Sequence, residues 1–176
     1  DDQFIGKNAG KTKHQGVELG LRYAFHIFPK IEIVPFLNYT LNDHSFIDFV
    51  DAENDFSGNP LTGVPKHRIT SGVQMRLFND FYWNTTHQYV GAMPLTDANS
   101  LSSEPFNVFT TRMGYQKKLS DKFTLGLDVG INNVFNVVYA QSVLINTQAF
   151  GGAEPRYYYP GNDRNYYGSL RLGYKL

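Results

Sequence analysis

Residues 123–135 read FTLGLDVGINNVF and residues 164–176 read RNYYGSLRLGYKL. In the first stretch Phe123, Leu125, Leu127, Val129 and Ile131 alternate with Thr124, Gly126, Asp128, Gly130 and Asn132. In the second, Tyr166, Gly168, Leu170, Leu172, Tyr174 and Leu176 alternate with Asn165, Tyr167, Ser169, Arg171, Gly173 and Lys175. Period two puts successive side chains on opposite faces, so each stretch is a strand with one oily and one wet face. Two such strands joined by a long loop point to an all-β fold, an antiparallel up-and-down transmembrane β-barrel segment with its closing strand.

Composition agrees. The 176 residues suffice for one domain, and a formal net charge of zero gives no electrostatic footprint for nucleic acid. Absence of cysteine excludes disulfide frameworks and thiolate metal sites. Aromatics reach 15%, which suits two interfacial girdles or a carbohydrate-binding β-sandwich. The longest uncharged stretch, residues 129–153, is studded with Asn, Gln, Ser and Thr, so it is no membrane helix. A barrel escapes a hydropathy scan because every second residue faces its lumen. The chain opens on Asp1 without a signal peptide and reads as a piece of a longer product.

The same alternation recurs upstream. A first strand runs from Thr12 to Ile27, turning at Phe28-Pro29-Lys30. A second follows to Asn42, with Pro35 as a local defect. Residues 43–64 are expected as a polar loop. Further strands are expected at 66–78, 81–89, 107–119, 123–135 and 164–176, about seven in all. Loops then alternate short and long, with tight turns at 29–30, 79–80 and 120–121. Phe25, Phe28, Phe78, Phe81, Tyr82, Trp83, Tyr115, Phe123 and Tyr174 gather near those turns, as a girdle or as sandwich core; Tyr166 and Tyr167 are placed at the opposite rim. Leu127 is expected to face lipid. Glu18, Arg22, Glu32, Arg68, Arg76, Arg112, Asp128 and Arg171 are expected on the lumen side, where charge is cheap. His87 falls on the lipid side.

No catalytic constellation emerges, and the chain is read as no enzyme. The five histidines have no metal-ligand spacing, and no cofactor or metal is assigned.

These residues resemble the C-terminal barrel region of TonB-dependent outer-membrane receptors of the siderophore type. NAGKTKHQGVEL (8–19), GNPLTGVPKHR (58–68), LDVGINNVFNVVY (127–139) and AFGGAEPRYYYPGNDRNYYGSLRLGYKL (149–176) carry the likeness in order. The family usually ends on Phe; this chain ends on Leu176. The resemblance implies residues 1–176 as the C-terminal part of a barrel in the bacterial outer membrane, without the plug domain. It implies transport of a ferric siderophore or similar scarce nutrient. The implied partners are outer-membrane lipid, the N-terminal strands and plug of the same receptor, and the TonB complex through the N-terminal region. The inward charges then contact the plug, or simply pair and meet water. The alternative is a small structural or adhesive barrel without energised transport. Residues 136–163 form the longest loop, and its Arg156, Tyr157, Tyr158 and Tyr159, with Arg164, are the candidate ligand contacts: two cations beside flat phenol faces.

Overall fold

In the computed structural model, residues 10–51, 53–78, 80–149 and 151–175 are described. Twelve strands follow in chain order: β1 Lys11–Arg22, β2 Phe25–Phe28, β3 Ile31–Asp48, β4 Val50–Asp51, β5 Asn54–Asp55, β6 His67–Leu77, β7 Phe81–Val90, β8 Phe106–Lys118, β9 Phe123–Asn132, β10 Ala140–Val143, β11 Tyr158–Pro160 and β12 Asn165–Tyr174. The main sheet runs β1-β3-β6-β7-β8-β9-β12, each strand antiparallel to its chain neighbour, with β2 also on β3. β1 and β12 each keep an unpaired edge among the described residues.

The register carries the two-faced pattern across the sheet. One row joins Ile31, Leu77, Phe81, Tyr115, Leu127 and Leu170. The next row, one residue along each strand, joins Glu32, Arg76, Tyr82, Gly114, Asp128 and Ser169. The first face is apolar and open: Leu127 is 45% exposed, Leu170 65% and Leu172 74%. A one-residue slip would move every charge onto it, so the pattern holds the register.

Several boundaries differ from expectation. The first strand breaks at Tyr23 and Ala24. Tyr23 N–H donates to the Pro35 carbonyl at 3.3 Å, but Pro35 has no N–H to return the bond, and the ladder lapses there. The second strand runs on to Asp48, six residues past Asn42, because β1 pairs with it up to Lys11. Strand β9 stops at Asn132, short of Phe135, where Asn133 turns left-handed at φ 51°. The last strand ends at Tyr174; Asn79 and Leu176 lie outside the described residues.

Asn133 is almost fully buried. Its amide donates to the Val137 and Asn162 carbonyls at 2.8 and 3.1 Å, and its oxygen accepts from Val137 N–H at 2.9 Å. Asn132 donates to Asn165 at 2.8 Å. The Asn-Asn pair thus staples the exit of β9 to the entry of β12. An asparagine suits the site because it tolerates positive φ and satisfies several backbone groups at once.

Two aromatic placements are corrected. Tyr82 and Tyr167 lie on the charged face, not in the girdles, each directly opposite a glycine, Gly114 and Gly130. A Cβ on Gly114 would meet the Tyr82 ring at 2.4 Å, and one on Gly130 the Tyr167 ring at 2.3 Å. The missing side chain is the berth of the ring, and the Arg112 guanidinium lies 5.5 Å from the Tyr82 centroid. On the apolar face Phe81–Tyr115 and Phe123–Tyr174 pair at 4.6 and 5.0 Å. His87 is also on that face; its two ring nitrogens bond Ser71 at 3.2 Å and Asn107 at 2.8 Å, which meets its polar demand without water.

Gly114→Ala is expected to displace the Tyr82 ring and destabilise the folded barrel by about 1 kcal/mol. In a Tyr82→Ala background the same change is expected to be neutral or stabilising, because alanine restricts the unfolded chain more than glycine. Urea unfolding of the four variants in the full-length protein measures this sign change; equal effects in both backgrounds would refute the berth.

Candidate functional site

The expected polar loops are folded. At the end of the sheet away from the short turns, Phe46, Val90, Met93 and Leu95 are buried, Leu95 completely. They make up most of the buried apolar core among the described residues. The hairpin β4–β5 stands outside it, and there the hydroxyl and backbone N–H of Ser57 hold the Asp55 carboxyl below the usual carboxylate range.

Asp97 ties three loops together. Its carboxylate accepts from Thr62 Oγ1 and, at 2.8 Å, from Asn146 Nδ2. Its backbone N–H donates to Asn146 Oδ1 at 3.0 Å, while Asn146 N–H donates to the Leu95 carbonyl at 2.8 Å. Its carbonyl accepts from Asn59 Nδ2 at 2.8 Å. Gly63 N–H adds a bond to the Pro94 carbonyl at 2.8 Å. This network holds the loops as one cap over the sheet end.

Under the cap a cavity of about 480 Å³ is lined by Gly63, Pro65, Arg68, Gln88, Val90, Met93, Phe106 and residues 139–143. Arg68 and Gln88 come from β6 and β7, and Tyr139, Gln141 and Ser142 from the β10 arm. A guanidinium, two amides, a phenol and a hydroxyl thus face one space with an apolar floor. That arrangement can donate to an oxygen-rich or anionic molecule while packing its apolar parts. Sequence reasoning treated 136–163 as one loop and missed this lining; Val137-Val138-Tyr139, leading into the short and polar β10, was the available signal.

The candidate tyrosine run sits beside that cavity, not in it. Tyr158 and Tyr159 belong to β11, paired with Val143 and Ser142 of β10. Their rings are half exposed, and Tyr157 and Tyr158 have centroids 6.4 Å apart. Arg156 is exposed, and Arg164 N–H donates to Asn136 Oδ1 at 2.8 Å. The five residues are near one another along the chain, and none of them lines that cavity.

The charged face carries a second concavity, of about 640 Å³, lined in part by Arg22, Glu32, Arg76, Asp80, Tyr82, Arg112 and Arg171. Arg112 pairs with Asp128 at 2.9 Å; Asp128 is only 8% exposed and also accepts from Ser169 at 3.0 Å. Arg76 meets Glu32 at 3.6 Å, and Arg22 donates to Gln74 at 2.7 Å. Glu18 and Arg68 share this face, both in register with Thr40.

Residues 1–134 match the family described as TonB dependent receptor-like, beta-barrel. Among solved structures, the fold is similar to the crystal structure of the siderophore receptor PiuA from Acinetobacter baumannii. The TM-score is 0.67 at 18% identity over 94% of this chain, which spans 22% of the length of that one. At this identity the likeness is one of fold. The family match stops two residues past β9, so β12 is carried by its ten-residue pairing with β9.

Asp97→Ala removes the acceptor shared by Thr62 and Asn146. Limited proteolysis of the full-length protein is expected to cut within residues 91–105 or 144–157 at least several-fold faster, with unfolding of the sheet unchanged. Unaltered cleavage would show that the cap does not depend on this carboxylate.

Proposed function

Since the chain belongs to the TonB-dependent receptor β-barrel family, we propose that it forms the C-terminal part of the barrel wall of a bacterial outer-membrane transporter for a ferric siderophore or a similar scarce nutrient. The observation that carries this reading is an antiparallel ladder from β1 to β12, open at both edges among the described residues, with one exposed apolar face and one charged face. An apolar face of this extent needs cover, and hydrocarbon supplies it without further partners. The charges opposite it need water or a polar occupant.

The open edges of β1 and β12 take the remaining wall strands. The charged face then lines a lumen that holds the plug domain, and the TonB complex acts through the N-terminal region. The open edges of β1 and β12 among the described residues favour a wall segment over a small closed adhesive barrel. The chain's part is to bind and enclose; nothing in this role calls for bond-breaking chemistry.

At the mouth, Arg68, Gln88, Tyr139, Gln141 and Ser142 contact the nutrient, with Arg156, Tyr157, Tyr158, Tyr159 and Arg164 on the flank. A cation among neutral donors suits an anionic chelate. That PiuA is described as a siderophore receptor supports this substrate class.

Growth of a receptor-deletion strain on single iron sources, with and without the gene restored, identifies the nutrient. Arg68→Ala with Gln141→Ala in the full receptor is expected to weaken its binding about tenfold or more, since a hydrogen bond from a charged group contributes ~1.5–3 kcal/mol. Growth independent of the receptor on every source would contradict the transport reading. Unchanged affinity in the double variant, with restored growth, would move the site elsewhere in the mouth.

A further inference from the structure

The five histidines are scattered in sequence, but the sheet brings two together. Pairing of β1 with β3 sets His14 directly opposite His44. Their ring centroids are 4.7 Å apart at an interplanar angle of 59°. Both lie on the charged face, in step with the Glu18–Thr40 pair. Behind them, Gln15 hydrogen-bonds its opposite number Asp43 on the other face, so the apolar band has already ended at Val17 and Leu41. The pair therefore stands at the loop end, within reach of water.

The ring nitrogens leave a surplus. His14 Nε2 is bonded to Thr12 Oγ1 at 3.0 Å, which leaves its Nδ1 without a hydrogen bond among the described residues. His44 Nδ1 is buried and has no hydrogen-bond partner among the described residues. An orphaned buried nitrogen is costly and calls for a water or an ion. Two ligand bonds of ~2.0–2.1 Å need nitrogens about 3 Å apart, which χ rotation provides for facing rings at this separation. The strand pair fixes both Cα atoms, so little ordering is required on binding.

We propose that His14 and His44 form a two-imidazole site for a first-row divalent transition-metal ion at the mouth. Imidazole selects copper, zinc and nickel over magnesium and calcium, and copper binds most tightly. Among the described residues no three His, Asp or Glu side chains converge, so the remaining coordination positions stay open to water or an incoming ligand. The site stands independently of the transported nutrient, because it needs only the β1–β3 register.

The probe is Cu2+ at one equivalent, added to the tag-free whole receptor and read by pulsed electron paramagnetic resonance. The expected spectrum shows two equatorial imidazoles. His14→Gln or His44→Gln is expected to leave one, with affinity falling about tenfold or more as the chelate is lost. His26→Gln is expected to change nothing, and urea unfolding verifies that each variant is folded. A spectrum unaltered in the folded variant carrying both His14→Gln and His44→Gln, or no copper bound by the unmodified receptor, would overturn the proposal.

Discussion

Every backbone N–H and C=O that enters hydrocarbon must be paired inside the protein, and for the barrel wall proposed above this is the constraint on which the sheet depends. The sheet meets it with a ladder continuous from β1 to β12, broken chiefly where Pro35 cannot donate to Tyr23. Once the ladder fixes which residues lie opposite one another, the faces follow. Leu127 and Asp128 are neighbours in sequence and lie on opposite faces, one apolar and one charged.

The two faces solve different problems. On the apolar face, open in the sheet and assigned to lipid in the proposed wall, the few polar groups satisfy one another: His87 with Ser71 and Asn107, Trp83 with Thr111 at 2.7 Å. On the charged face, Asp128 is buried yet held by Arg112 and Ser169, which compensates for part of its lost hydration. Tyr82 over Gly114 and Tyr167 over Gly130 close gaps between neighbouring strands. The apolar core lies largely elsewhere, under the cap, where Leu95 and Phe46 are packed by loops that Asp97 ties together.

Much of this was legible in the sequence, because period two is a local signal. The strands around Val73, Met113 and Leu127 and the turns at Pro29 and Ser120 were read from spacing alone. The even-numbered charges from Glu18 to Asp128 share the face assigned to them by alternation. What escaped depends on partners distant in sequence. Nothing near Asp43 says that β3 continues to Asp48; its pairing with β1 does. Nothing near Tyr82 says that it faces Arg112 and not lipid, since poor alternation in β7 hid its parity. The tyrosine run looked like a loop tip because its partner strand, Ala140–Val143, is short and polar. His14 and His44 become neighbours only through the register.

The central claim is that alternate residues of one strand face lipid and water, and spin labels measure it most directly. The chain has no cysteine, so single cysteines can be placed at each position from Thr124 to Ile131 in the whole receptor, freed of any cysteines elsewhere. Labelled and reconstituted in bilayers, they are relaxed by oxygen, which concentrates in hydrocarbon, or by a water-soluble nickel chelate. The account predicts a period of two, with oxygen dominant at Leu125, Leu127, Val129 and Ile131 and nickel dominant at the residues between. Uniform accessibility along the strand, or the opposite phase, would contradict it.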